Sequence, residues 1–495
     1  MLTFDGAGAV EPSNLLFILS DEHQRDIAGC YGDGIAITPN IDRLAARGTR
    51  FTNAYTPCPI CVPARGALAT GRWVHQVKAW DNAAPYHGEL PSWHRRIRDH
   101  GNRVVSIGKL HFRSTEDDNG FSEEILPLHV LDGQGDLIGM LRDPPAKRGS
   151  MPALSKSAGP GESTYNDYDT NITEASCQWI AEQAKRSGGK PWALFVSLVR
   201  PHFPLTAPPE FYKLYDPDRM PMPRLYDEAG RKLHPAVQAL RSIMDYDDYF
   251  ADEAAVRRGI ASYYALVSFL DDNIGKILKA LDDAGFTNST RVIYSSDHGD
   301  NVGCRGMWGK SVMFEESAAV PLVIAGPGVP KGTVVDTPVS LIDCYRSAIE
   351  AVGCPVPGED KSLPSQSLWA IAEGEKPGRT VLSEYHAAGS VTGTFMIRHG
   401  RWKYVYHVGY RPELYDLEAD PGETTDLAER PDMAGALADC EAALRAICDP
   451  EAISAEAFAD QNRRIAEHGG RSAILARGDY SYTPAPGEKP VLVAK

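Results

Sequence analysis

The chain has 495 residues, 43% apolar and 24% charged, with a formal net charge of −15. That composition excludes a disordered or fibrous chain and points to one large folded unit with a smaller one beside it. The acidic balance, without any Lys/Arg run, argues against a nucleic-acid surface, so an anionic ligand would need a local positive pocket.

In chain order, residues 1–13 are small and polar and are expected to be poorly ordered. LLFILS (15–20) is a continuous apolar run of the kind a central parallel strand requires, and it ends abruptly in Asp21-Glu22-His23. It is too short for a secretory h-region or a membrane span. Nine cysteines without framework spacing suit reduced thiols, so a cytoplasmic protein without membrane contact is expected. Thr38-Pro39 opens a helix through Ile41, Leu44 and Ala45 that Gly48 closes. TPCPICVPARGALATG (56–71) then predicts a tight turn and a short helix, with Pro63 in its first turn and Gly71 at its end. Cys61 falls just ahead of that helix N-terminus and Arg65 one turn in, a setting that favours an anion and an activated sulfur.

The same grammar repeats downstream. Strands are predicted at 104–107, running into Lys109 and His111; at 192–199, running into Arg200-Pro201-His202; and at 291–296, running into Asp297-His298-Gly299-Asp300. A fifth, at 321–325, ends in Gly326-Pro327-Gly328. Helices fall at 169–186 and 255–284, the second with a 3–4 apolar spacing from Ile260 to Leu281. Alternation of this kind predicts an α/β fold: a large, mixed but mostly parallel sheet with helices on both faces. Residues 120–161 and 216–240, rich in Pro, Gly and charge, read as long surface insertions.

After residue 385 the texture changes. Strands at 394–398, 402–407 and 413–417, followed by a helix at 431–447, predict a small antiparallel α+β unit. The expected division is therefore 1–385, 386–448 and a tail at 449–495. The tail's Tyr480 and Tyr482 are apolar enough to suggest docking, on its own body or in a homo-oligomer.

Four strands thus deliver ionisable residues just past their carboxyl ends, where open α/β sheets build their sites. Asp21, Asp297 and His298 form a hard O/O/N donor set that suits Ca²⁺ first, and Mg²⁺ or Mn²⁺ after it, better than Zn²⁺. Arg65, Lys109, His111, His202 and Lys310 add positive charge and proton donors fit to grip a tetrahedral oxyanion.

CVPAR resembles the C-x-P-S/A-R signature of the sulfatase family in the alkaline phosphatase superfamily. SDEH, GKLHF, PHFP, SDHGD and GMWGK resemble its other motifs in the same order, over residues 14–445. DNAAPY (81–86), GKLHF and LYDLEADPGETTDLAE (414–429) are most similar to the choline-sulfatase branch. The resemblance implies hydrolysis of a small sulfated organic substrate to an alcohol and sulfate. It further implies that a formylglycine-generating enzyme converts Cys61 to Cα-formylglycine, and that Asp21, Glu22, Asp297, His298 and the modified Cys61 surround a divalent metal. Glu22 stands where the family usually has Asp or Gln, a departure that bears on its place in that ligand set. By the same resemblance Arg65 orients the nucleophile, Lys109 and Lys310 neutralise the sulfuryl oxygens, His202 protonates the leaving alcohol and His111 accepts a proton.

Three other readings stand beside this one. A phosphonate monoester or phosphodiester hydrolase of the same superfamily resembles the chain in its RPH and metal motifs, but tends to lack the Lys and His of GKLH. Cys58 and Cys61 could form a redox pair, or the chain could be a binding protein whose cysteine is never modified. For a cationic alcohol, the aromatics nearest the motifs are Trp80, Tyr86, Trp93, Phe112, Phe203 and Trp308.

Overall fold

An apolar run without polar alternation is stable as a strand only when both its faces are covered, and β1 (Asn14–Asp21) is buried along almost its whole length. The computed structural model describes residues 11–492 except 151, 187, 228–230 and 377, and places β1 inside an eight-stranded sheet. Most of the expectation for residues 1–13 lies outside the described residues.

The other strands are β2 (Gly48–Phe51), β3 (Val104–Lys109), β4 (Glu123–Leu128), β5 (Ala193–Pro201), β6 (Thr290–Ser296), β7 (Leu322–Ala325) and β8 (Thr333–Val335). Their order is β8-β2-β7-β6-β1-β5-β3-β4. Every pairing is parallel except those of β7, which runs antiparallel to β2 and β6. The sheet is therefore mixed and mostly parallel. β2 and β8 carried no clear sequence signal because they are short, and β4 and β8 because they are half-exposed edge strands.

Alternate residues of β1 feed two cores. Leu15, Phe17 and Leu19 pack with Trp93, Ile97 and Tyr345 on one face, while Leu16 and Ile18 pack with Ile172, Trp179, Ile274 and Ile277 on the other. Each such side chain contributes roughly 1.5–3 kcal/mol on burial. The covering helices include α1 (Pro39–Ala46), α2 (Cys61–Thr70), α3 (Thr164–Gln183) and α4 (Glu253–Asp283). The Asp252 side chain caps α4 by accepting from the Ala255 N–H at 2.8 Å, and Gly285 follows its end with φ +75°.

The C-terminal sheet is β9 (Val381–Tyr385), β10 (Thr394–His399), β11 (Trp402–His407) and β12 (Glu413–Asp416), antiparallel throughout. β9 was not foreseen, and it starts the sheet ahead of the boundary expected after residue 385. The helices α5 (Ala434–Ile447), α6 (Pro450–Glu467) and α7 (Gly470–Ala476) follow. The segment after α7 lies back on the chain's own body. Among the described residues no helix is long and apolar enough to cross a membrane, and all nine cysteines are free.

Buried charges join the two sheets. The fully buried Lys403 of β11 lies 3.0 Å from Glu315 Oε1 and 2.7 Å from Glu423 Oε1, and Arg25 meets Glu315 Oε2 at 2.9 Å. Burial, countered in part by Lys403, leaves the Glu423 carboxyl raised to about 7. Removing one member of such a network strands the others in low dielectric. Lys403→Ala is expected to lower the unfolding free energy by about 3–5 kcal/mol in urea titration; a change below about 1 kcal/mol would show that the network does not hold the two sheets together.

Candidate active site

β6, β1, β5 and β3 are consecutive and parallel, so their carboxyl ends share one sheet edge. That edge presents Asp21 at the end of β1, Lys109 at the end of β3, His202 just past β5, and Asp297 and His298 just past β6. α2 points its N-terminus at the same place. Cys61 is its first residue rather than the residue before it, with Ile60 as the extended cap. Gly71 ends the helix at φ +67°, where a Cβ would come within 2.7 Å of the Tyr345 ring.

The floor of the site is a buried acidic set. One donor atom each from Asp21, Cys61, Asp297 and His298 lie within 4.8 Å of one another, all four residues buried. The His298 Nδ1–H donates to the Gly299 carbonyl at 3.0 Å, leaving the Nε2 lone pair facing Cys61 Sγ at 3.2 Å. Two carboxylates, a directed imidazole nitrogen and full burial fit a hard divalent cation.

Arg65 holds this floor from behind. Its Nε donates to Asp297 Oδ2 at 2.8 Å and its Nη2 to Asp21 Oδ2 at 2.9 Å, while Nη1 donates to the Lys109 carbonyl and to Ser197 Oγ at 2.8 and 2.9 Å. The anion-facing arginine expected at the helix start instead faces carboxylates, because two buried acids outcompete an open pocket for its donors. The N–H of Val62, the second residue of α2, is also taken, since it donates to Asn82 Oδ1 at 3.1 Å. Burial pushes the Asp21 carboxyl up, but Lys109, His202 and Arg65 outweigh it and hold the group well below the ordinary carboxylate range.

Glu22 stands apart from the four-residue cluster. Its backbone, at φ +70°, donates to Asp297 Oδ1 at 3.2 Å, and its Oε2 lies 3.0 Å from Lys310 Nζ and 3.3 Å from His202 Nε2. Burial drives its carboxyl well above the ordinary range, only partly opposed by Lys310. Asp21, Glu22 and His202 form a separate close group. Glu22 therefore sits with His202 and Lys310 rather than in the four-residue cluster around Cys61.

Above the floor is a cavity of about 60 Å³. Cys61, Lys109, His111, His202 and Lys310 all line it; Arg65, Asp21, Asp297 and His298 do not. Lys109 Nζ sits 2.6 Å from Asp21 Oδ2, and Lys310 Nζ is 3.3 Å from Cys61 Sγ. Both ring nitrogens of His111 are buried without a hydrogen-bond partner. The His202 Nδ1–H donates to the Phe203 carbonyl at 2.7 Å, which leaves Nε2 directed at the site. Burial, reinforced by Lys109 at His111 and by Lys310 at His202, lowers both imidazoles well below their usual value.

Of the six aromatics expected near a cationic alcohol, only Phe203 lines the cavity. Tyr86, Trp93 and Phe112 pack around His94 in a core, and Trp308 packs on Phe250 at 4.5 Å. Closeness to a motif in sequence did not bring these rings to the cavity, because helix and loop packing turned them into the core. The cavity's other aromatics, Tyr480 and Tyr482, come from the C-terminal tail. The tail is fastened by the buried Asp479, which meets Arg148 Nη2 at 2.8 Å and accepts from Ser150 Oγ at 2.8 Å. Further along, Tyr165 Oη donates to the Thr483 carbonyl at 2.5 Å. Ser197, Asn82, Arg148 and Asp479 were missed in the sequence; Asn82 alone had a signal, its place in DNAAPY.

A family model described as Sulfatase matches residues 13–354, and one described as N-sulphoglucosamine sulphohydrolase, C-terminal, matches residues 303–448. The chain belongs to the sulfatase family, which makes it a sulfuric ester hydrolase. It is 31% identical over 428 residues to the choline-sulfatase of Rhizobium meliloti (strain 1021), covering 84% of this chain and 83% of the relative. It is also 28% identical over 463 residues to the arylsulfatase K of Danio rerio, covering 89% and 84%. The fold is similar to that of the phosphonate monoester hydrolase from Silicibacter pomeroyi, with a TM-score of 0.70 at 22% identity over 87% of this chain and 94% of that one.

The end of β5 is tied to α3 by Asp169, which accepts from the Val199 and Arg200 N–H groups at 2.7 and 2.8 Å. Burial raises its carboxyl from 3.8 to about 6. The folded state thus binds this proton more tightly than the unfolded chain, so stability is lost as pH rises from about 4 through about 6. In Asp169→Asn that loss disappears. The stability difference between wild type and variant should move in the variant's favour by up to about 3 kcal/mol between those limits, as read by denaturant titration at each pH. A difference that stays constant with pH would contradict the raised value.

Proposed function

We propose that this enzyme hydrolyses the sulfate monoester of a compact alcohol, using Cys61 converted to Cα-formylglycine. The observation that carries the reading is the position of Cys61: first residue of α2, lining the cavity from below, with Asp21, Asp297 and His298 gathered around its sulfur. Asp21, Asp297 and His298 would hold a divalent cation, Ca²⁺ in first place, which when bound supplies charge that favours an anionic oxygen nearby. The hydrated aldehyde at position 61 supplies a nucleophilic oxygen and a second hydroxyl whose collapse releases sulfate without water attacking sulfur.

The rest falls to ordinary side chains. Lys109 and Lys310 face the cavity as fixed cations and would gather the sulfuryl oxygens, strengthening as charge builds on them. His202, with its Nδ1–H held by the Phe203 carbonyl, would relay a proton through Nε2 to the leaving alcohol oxygen; Glu22 Oε2, 3.3 Å away and with its carboxyl raised well above the ordinary range by burial, is placed to supply it. His111, with no partner of its own, is free to take the proton released at position 61. The small cavity and the Phe203, Tyr480 and Tyr482 rings favour a compact alcohol, with a cationic one such as choline as the first candidate.

Phosphonate monoester hydrolysis is the second reading, favoured by the fold of one structural neighbour. The presence of Lys109 and His111 in the cavity supports sulfate. A redox role for Cys58 and Cys61 has little support. Both thiols are buried and burial raises both above their usual value, the reverse of what a reactive pair needs.

Three measurements follow. The tryptic peptide spanning residues 51–65, from the native host, should be lighter by the difference between H₂S and one oxygen atom; an unmodified peptide would sink the mechanism. Turnover of 4-nitrophenyl sulfate should exceed that of phenylphosphonate monoesters by at least about tenfold, a margin of about 1.4 kcal/mol in barrier, and the reverse order would select the second reading. Chelation should lower both activity and Tm, and Ca²⁺ should restore both in wild type but not in Asp297→Asn.

A further inference from the structure

One guanidinium near the cavity has no place in the chemistry above. Arg200 is fully buried, yet no carboxylate among the described residues pairs with its guanidinium. Its N–H groups end on neutral acceptors instead: Nε on Asn166 Oδ1 at 2.6 Å, Nη1 on the His202 and Pro204 carbonyls at 2.7 and 2.8 Å, and Nη2 on Ser163 Oγ at 2.8 Å and the Thr206 carbonyl at 3.5 Å. The nearby Asp169 carboxylate takes the backbone N–H of Arg200, not its guanidinium, and burying a cation without a directly paired carboxylate is a poor way to gain stability. Burial, opposed in part by Asp169, pulls this group down to about 10.

What an arginine does here that a neutral side chain could not is span the turn. The planar fork reaches from α3 to two carbonyls that bracket Phe203, and a lysine offers no such fixed geometry. Within the bracketed turn, His202 Nδ1–H donates to the Phe203 carbonyl. Tyr165 sits under the guanidinium, 5.6 Å from its ring centroid, and meets the His202 ring edge-on at 6.0 Å. His202 is thereby gripped through its backbone, its Nδ1 and its ring face, and its Nε2 is left pointing at Glu22 and Asp21.

We propose that Arg200 is a positioning residue whose guanidinium, backed by Tyr165, sets the direction in which His202 presents Nε2 to the leaving oxygen. The proposal rests on His202 being the proton donor, and the two can be tested apart. An alkyl sulfate needs its leaving oxygen protonated; 4-nitrophenyl sulfate scarcely does. His202→Ala should therefore lose far more activity on the alkyl ester. Arg200→Lys should repeat that pattern in weaker form, with kcat down about 10–100-fold on the alkyl ester and less than about 5-fold on the aryl ester, KM changing little and Tm measured alongside. Asn166→Ala, which removes only the Nε acceptor, should show the same leaving-group bias more mildly and serves if Arg200→Lys does not fold. Equal losses on both esters in Arg200→Lys and Asn166→Ala, with His202→Ala still biased, overturn the role of Arg200 alone. An unbiased His202→Ala overturns the proton-donor reading and the proposal with it.

Discussion

Two carboxylates, Asp21 and Asp297, are driven fully out of water at one sheet edge, and the rest of the site depends on the cation that holds them together there. Alone they would repel each other. Arg65 counters this by bridging them, Nε on Asp297 and Nη2 on Asp21 along one edge of its guanidinium, with Nη1 on Ser197 and the Lys109 carbonyl. A bidentate clamp of this kind fixes direction as well as charge. Because Arg65 rides on the first turns of α2, the same contact ties Cys61 to the acidic floor. The charge balance then makes sense: Arg65, Lys109 and Lys310 stand beside Asp21 and Asp297 within the site, and a bound divalent ion would add to that positive side inside a chain that is strongly acidic overall. An anion would be drawn to that spot and to few others.

Much of this could be read from the chain because its signals are local. Continuous apolar runs forced buried parallel strands, and parallel strands put Asp21, Lys109, His202 and Asp297 at one edge whatever the details of packing. Pro63 and Gly71 likewise bracket α2 by backbone constraints that need no partner. The role of Arg65 was not legible in the same way, since whether a guanidinium faces a ligand or an acid is decided by residues more than 40 positions away. Glu22 reads as an extra acid in sequence, and only its burial, with Lys310 opposing and Asp300 adding, reveals that its carboxyl is raised well above the ordinary range. The aromatic residues failed for a related reason. Trp93 on a helix and Phe112 on the loop past β3 were claimed by a core that distant residues complete, while Tyr480 and Tyr482 arrived from the far end of the chain.

A cysteine at a helix N-terminus ordinarily has a lowered pKa and reacts as a thiolate. At Cys61 burial comes first and Asp21 adds to it, outweighing Lys310 and Lys109, so the thiol is raised instead. The environment that makes sulfur a poor nucleophile is the one an oxygen nucleophile beside a cation would need: dry, acid-lined and rigid. The local chemistry of position 61 is thus more coherent with a precursor of another functional group than with a working thiol, and Cys58, deeper still, reads as core.

Closure of the cavity brings selectivity of a different kind. Asp479 is buried against Arg148 and Ser150, and Thr483 is held by Tyr165, so the strap carrying Tyr480 and Tyr482 is fixed at both ends across the mouth. The strap and the His202 cradle meet at Tyr165, whose ring touches His202 on one side and Tyr482 on the other, 5.0 Å away. On the proposed reading, the wall that would limit the size of the alcohol is continuous, through Tyr165, with the residues that would aim the proton at it. An alcohol too large for the strap would displace Tyr482 and, through Tyr165, disturb His202. In this architecture, exclusion of a bulky ester would register in turnover as well as in binding.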